Sequence, residues 1–134
     1  MGHSNIEYYL HLVWATYQRE PLLVGDTENL IYACIRAEAK HMKCRILALG
    51  GAADHVHLAV EPLSTYGPSK VVQQIKGASS RFADSKGIAF KWQAGYGCFT
   101  LSRPHLKTVI LYIENQKRHH TEKTFWMSWE PPVD

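Results

Sequence analysis

At 134 residues the chain has the length of one domain and can build one real core. Hydrophobic residues at 46% and charged residues at 20% are ordinary for a globular protein, and no apolar run approaches the roughly 18 residues that a membrane helix needs. A net charge of +3, with eight histidines counted as neutral, is compatible with binding nucleic acid and does not select it.

The opening residues Met1-Gly2-His3-Ser4-Asn5 lack the basic-then-apolar layout of a secretion signal. Cys34, Cys44 and Cys98 are odd in number and form no CxxC pair, which predicts reduced thiols and a cytoplasmic chain. Cys34 and Cys98 stand among apolar residues as small core fillers. Neither repeats nor linkers interrupt the chain, so residues 1–134 read as a single domain.

Between Glu7 and Thr16, Tyr8, Leu10, Leu12 and Trp14 alternate with Tyr9, His11, Val13 and Ala15, the period of a strand. Asp26 is positioned to cap a helix reaching about Lys43, with Ile31, Cys34, Ile35 and Met42 on its buried face and Glu38 interrupting it. Arg45–Gly50 and His55–Val60 read as an antiparallel pair joined through Gly51 to Asp54. A second helix begins near Pro68 and runs to about Lys86, with Val71, Ile75, Ala78 and Phe82 as its core face. Gly77 inside it suggests a close backbone approach. Phe90–Trp92 and Gly97–Leu101 read as strand material, and Ser102-Arg103-Pro104 opens a third helix reaching His119, with a core stripe of Leu106, Val109, Ile110 and Ile113. The segment from Trp126 to Asp134 reads as an extended tail. The fold class is therefore α+β: a ferredoxin-like or RRM-like antiparallel sheet with helices on one face, plus a C-terminal helix.

Asp54-His55-Val56-His57 is the sharpest local feature. Residues two apart on a strand project from one face, so both imidazoles point one way. They can share a cation, or they can be ordinary hydrogen-bonded strand histidines; spacing alone leaves both open. On the third helix Tyr112 and Gln116 are four apart and share a face beside the apolar stripe, where a tyrosine is commonly an amphipathic filler.

Taken together these segments resemble the single-tyrosine transposases of the HUH class. The resemblance is carried by Tyr9-Leu10-His11-Leu12-Val13-Trp14, Asp54-His55-Val56-His57-Leu58, Lys76-Gly77-Ala78-Ser79-Ser80, Trp92-Gln93-Ala94-Gly95-Tyr96-Gly97 and Tyr112-Ile113-Glu114-Asn115-Gln116 with His119-His120. The wording around Gly95 is closer to the insertion-sequence branch than to the branch associated with repeated palindromes. The resemblance implies a metal-dependent enzyme that cleaves and rejoins single-stranded DNA through a 5′-phosphotyrosyl intermediate. It implies Tyr112 as nucleophile, with His55, His57 and Gln116 as ligands of Mg2+ or Mn2+. It further implies hairpin-bearing DNA ends as substrate, a homodimer whose active sites are shared between subunits, and a prokaryotic cytoplasm with the nucleoid as workplace. The competing reading is a domesticated or inactive single-stranded nucleic-acid-binding module of RRM-like fold.

Secondary expectations attach to other residues. Asp54 suits a carboxylate acceptor behind a ligand histidine. Lys76, Arg81, Arg103 and Lys107 are candidates for DNA-backbone contacts, with Lys70, Arg45 and Lys91 as further cations. Tyr96 and Phe99 can stack on bases or pack in the core, and His119 and His120 suit a helix C-terminus.

Overall fold

Strand β1, Tyr9–Ala15, is buried along its whole length, because it is an interior strand covered on both faces. The structure is a computed structural model that describes residues 5–117 and 129–131. The elements that follow are α1 (Gly25–His41), β2 (Arg45–Ala52), β3 (His55–Glu61), α2 (Pro68–Ser85), β4 (Gly97–Leu101) and α3 (Leu106–Glu114). They form one antiparallel sheet in the order β2-β3-β1-β4, the α+β architecture expected. No described helix is long and apolar enough to cross a membrane.

The register assigns the two faces. Leu10, Leu12 and Trp14 of β1, with Val56, Leu58 and Val60 of β3, form the larger core with Ile31 and Ile35 of α1 and Val71 and Ile75 of α2. The opposite face carries small residues, Ala48 and Ala59, against which Val109 and Ile113 of α3 pack. The sheet thus has two helices on one side and the C-terminal helix on the other. A Cβ built on Gly50 would lie 2.3 Å from the carbonyl oxygen of Ile113, so the missing side chain sets how closely α3 approaches β2.

Several local expectations shift. Helix α1 begins at Gly25 with Val24 in the cap position and no side-chain capping bond, and Asp26 lies in its first turn, where a carboxylate favours the helix dipole. Its buried face is Ile31, Ile35 and Ala39; Cys34 is only partly buried, as is Cys98. Helix α2 buries Val71, Val72, Ile75, Ser79 and Ala83 rather than Ala78 and Phe82. Ser79 is accommodated because its Oγ donates to the Ile75 carbonyl at 2.8 Å and accepts from Trp92 Nε1 at 2.8 Å. Phe90–Trp92 contributes only an isolated bridge between Thr16 and Trp92. The chain enters α3 through a 3-10 turn at Arg103–His105. His119, His120 and most of the expected tail lie outside the described residues.

Gly77 meets no backbone from elsewhere in the protein; a Cβ there would touch only the Arg81 guanidinium, at 3.1 Å. Gly50→Ala should therefore destabilise the protein by about 1–3 kcal/mol through overpacking under α3. Gly77→Ala should stabilise it by up to about 1 kcal/mol through helix propensity. Urea unfolding of the two variants beside the parent checks both signs.

Candidate active site

Alternation along β3 sends Val56 into the main core and turns His55 and His57 towards α3. Because β3 is an interior strand and α3 covers this face, both imidazoles are fully buried, with ring centroids 5.0 Å apart. The helix presents Tyr112 and Gln116 to them, and these are 3% and 1% exposed. The apolar stripe of α3 is rotated relative to the sequence expectation: Val109, Tyr112 and Ile113 are buried, while Leu106 and Ile110 are only partly so. Polar partners on the sheet make that rotation possible, since a buried hydroxyl or amide needs a hydrogen bond.

Glu130 supplies the centre of the arrangement. Its Oε1 lies 3.1 Å from His55 Nε2 and its Oε2 lies 3.2 Å from His57 Nε2. The Tyr112 hydroxyl donates to Oε2 at 2.5 Å. Gln116 Oε1 is 3.2 Å from His55 Nε2, while its amide nitrogen donates to the Tyr112 carbonyl at 3.3 Å. His55, His57 and Glu130 each offer one ligand atom, all within 4.8 Å of one another, a geometry that can hold a metal ion.

Outer contacts hold the two rings. His55 Nδ1 donates to Asp54 Oδ1 at 2.8 Å, and Arg19 Nε donates to Asp54 Oδ2 at 3.0 Å. His57 Nδ1 lies 2.8 Å from Nε2 of His11, which is also fully buried. Burial opposes a charge on His55, yet hydrogen bonds to Asp54 and Glu130 outweigh it and hold the ring at a pKa of about 9. Burial likewise works against ionised Asp54, but the bonds from His55 and Arg19 bring it down to about 2. Glu130 is held well below the usual carboxylate range, its burial being overcome by His55, His57 and Tyr112. His11 goes the other way: burial, reinforced by His57, lowers it to about 3 and keeps it neutral.

The family model for IS200-like transposases matches residues 4–116. The chain belongs to that family. Among relatives of this transposase, the ISDra2 transposase TnpA of Deinococcus radiodurans is 27% identical over 119 residues, covering 83% of this chain and 84% of the relative. A crystal structure of a putative transposase from Deinococcus radiodurans R1 superposes with a TM-score of 0.67 at 26% identity, covering 87% of this chain and 96% of that one. The structure of a REP-associated tyrosine transposase bound to a REP hairpin also superposes at 0.67, with 16% identity and 90% and 74% of the two chains covered, a likeness of fold.

His55, His57, Tyr112, Gln116 and Asp54, singled out in the sequence, come together within this one site of the transposase. The candidate DNA-contact residues do not join them. Lys76 spends its ammonium on the carbonyls of Gln93 and Gly95, at 2.7 and 3.2 Å. Arg103 pairs with Glu7, while Arg81 and Lys107 are exposed. Sequence reasoning missed His11 and Glu130. For His11 a signal existed: an imidazole inside a strand that is apolar on both faces needs a polar partner. Glu130 carries no spacing signal, being a carboxylate 18 residues beyond Tyr112.

The raised pKa of His55 has a consequence for metal-free stability. A folded-state value of about 9 against about 6.5 unfolded means the charged ring stabilises fully below pH 6.5, and that contribution is lost as pH rises through 9. At about 1.4 kcal/mol per unit, the loss from pH 6 to pH 9.5 is on the order of 2–3 kcal/mol. Asp54→Asn should shrink it. Urea unfolding at both pH values, in parent and variant, measures the difference.

Proposed function

We propose that this transposase cleaves and rejoins single-stranded DNA, with Tyr112 as the nucleophile and a divalent cation held by His55 and His57. One observation carries the reading: the Tyr112 hydroxyl, two imidazoles and a carboxylate converge on one buried point in a chain of the IS200-like family. The donor set fits a cation, combining two imidazole nitrogens with the Glu130 carboxylate and the Gln116 amide oxygen beside it. A carboxylate hardens that set towards Mg2+ or Mn2+. Gln116 and Glu130 are both ligand candidates, and Asp54 orients His55 from behind.

The chain's own residues then divide the work. Bound at this point, a divalent cation would neutralise charge on the phosphate oxygens and ease the approach of an anionic nucleophile. Tyr112 Oη forms a bond to phosphorus as the bond to the 3′ oxygen breaks, leaving a 5′-phosphotyrosyl link and a free 3′-hydroxyl. A phenol has a pKa near 10, and the Tyr112 proton already has a carboxylate within hydrogen-bond distance. A 3′-hydroxyl from another strand later attacks the same phosphorus and releases the tyrosine, so the bond energy is conserved.

Access requires movement. His55 and His57 are fully covered and Tyr112 is 3% exposed, so the phosphate enters only when Glu130 and α3 give way. Exchange of α3 between two copies of the chain would provide that opening and would build each site from both subunits. A hairpin-bearing single strand is the substrate class, supported by family membership and by the REP hairpin bound to a neighbour of the same fold.

Tyr112→Phe should keep the fold and DNA binding while the denaturant-resistant protein–DNA adduct falls to background on gels. Excess chelator, or His57→Ala, should abolish cleavage of single strands without unfolding the protein; undiminished cleavage in chelator would sink the metal reading. A doubly tagged heterodimer of one Tyr112→Phe subunit and one His57→Ala subunit separates the two assemblies. Shared sites restore about half the parental cleavage, since one site of two is intact, and put the adduct on the His57→Ala subunit. Sites within one chain leave the heterodimer inactive.

A further inference from the structure

His11 has no part in the reaction outlined above, yet it sits fully buried in the middle of β1. Its Nε2 lies 2.8 Å from His57 Nδ1. Its Nδ1 has no hydrogen-bond partner among the described residues. The remaining ring neighbours are aromatic, with Phe99 tilted at 5.6 Å and Trp129 edge-on at 5.5 Å. A phenylalanine would fill this box without leaving a buried nitrogen unsatisfied. What distinguishes histidine here is its single bond to His57.

That bond bears on which nitrogen His57 can offer. An imidazole binds a cation through the nitrogen that lacks a proton, and the neutral ring then carries its proton on the other one. His57 Nε2 faces Glu130 and the space it shares with His55, so the proton belongs on Nδ1. We propose that His11 is a positioning residue for the metal centre: its Nε2 accepts the Nδ1 proton of His57, fixing the ring orientation and the tautomer that frees Nε2 for the cation. The proposal rests on the metal reading of His55 and His57.

The opposite polarity does not serve. With His11 Nε2 as donor, His57 would carry its proton on Nε2 and could not bind a metal there. Asp54 performs the matching task for His55, accepting from its Nδ1 at 2.8 Å. The two supports differ in kind because their surroundings differ. The Asp54 side chain is 29% exposed and paired with Arg19, so it can stay ionised, whereas the fully covered position beneath Phe99 and Trp129 suits a neutral acceptor. Partners of this sort orient ligand histidines and commonly raise metal affinity.

The test is a Mn2+ titration of the DNA-free, chelator-stripped protein, followed by the electron paramagnetic resonance of free Mn2+. His11→Leu removes the acceptor, and His11→Gln restores a carbonyl oxygen near the position of Nε2. Binding should weaken by about 10–100-fold in the leucine variant and stay within about 3-fold of the parent in the glutamine variant. Thermal melting of the metal-free variants reports packing separately. In Zn2+-loaded parent and His11→Gln protein, 15N spectra should place the His57 proton on Nδ1. His57→Ala serves as the control. Should it bind Mn2+ like the parent, the metal reading itself fails and the proposal falls with it. Should it lose Mn2+ while His11→Leu binds like the parent, or while glutamine loses as much as leucine, only the role of His11 is overturned. A His57 proton found on Nε2 in the loaded protein overturns that role too, even if the leucine variant fails to fold.

Discussion

The close seating of α3 on the small-residue face of the sheet is the constraint on which the rest depends. At Gly50 the backbone of Ile113 comes so near that even a methyl group would collide with its carbonyl. Val109 and Ile113 pack on Ala48 and Ala59, and alongside them Tyr112 and Gln116 come over the histidines of β3. Larger residues on that face would lift the helix and separate tyrosine from imidazole. Apolar packing thus sets the distance at which polar chemistry takes place.

Burying so many polar groups between two layers is costly unless they satisfy one another. Glu130 makes this possible by meeting His55, His57 and Tyr112 at once. Around that centre the supports run outward through Asp54 to Arg19 on one side and to His11 on the other. Arg19 belongs to a short turn in which Gln18 and Arg19 both adopt positive φ, 52° and 56°. Strain of that kind persists only where surrounding structure enforces it. The Gln18 amide donates to the Gln93 side-chain oxygen, and the Gln93 backbone carbonyl accepts from the Lys76 ammonium, so α2 and the loop before β4 brace the turn. The exposed Arg19–Asp54 pair adds little stability of its own; its effect is on the direction in which Asp54 points.

Under the proposed function, a closed network and strand cutting make opposite demands. In that reading, the hydrogen bonds that hold Tyr112 and Glu130 in place would also keep a phosphate out. Residues 4–116 match the family model, and the relatives share most of their length with this chain.

Much of this was legible in the residues alone. Period-two alternation in β1 and β3, helical spacing in α1 and α2, and the prolines at Pro68 and Pro104 determine the element order, because each is a local property of the backbone. The His55-Val56-His57 spacing likewise determines that both imidazoles share a face. What the sequence could not determine was which side of the sheet α3 would cover, since an amphipathic helix fits any apolar face. Nor could it show that α3 would roll until Tyr112 and Gln116 were buried, because that depends on polar partners from other elements. His11 meets His57 only through the register of β1 against β3, and Glu130 arrives from a segment with no periodic signal. Periodicity reports a residue's own element; the partner across a layer is decided when the elements pack.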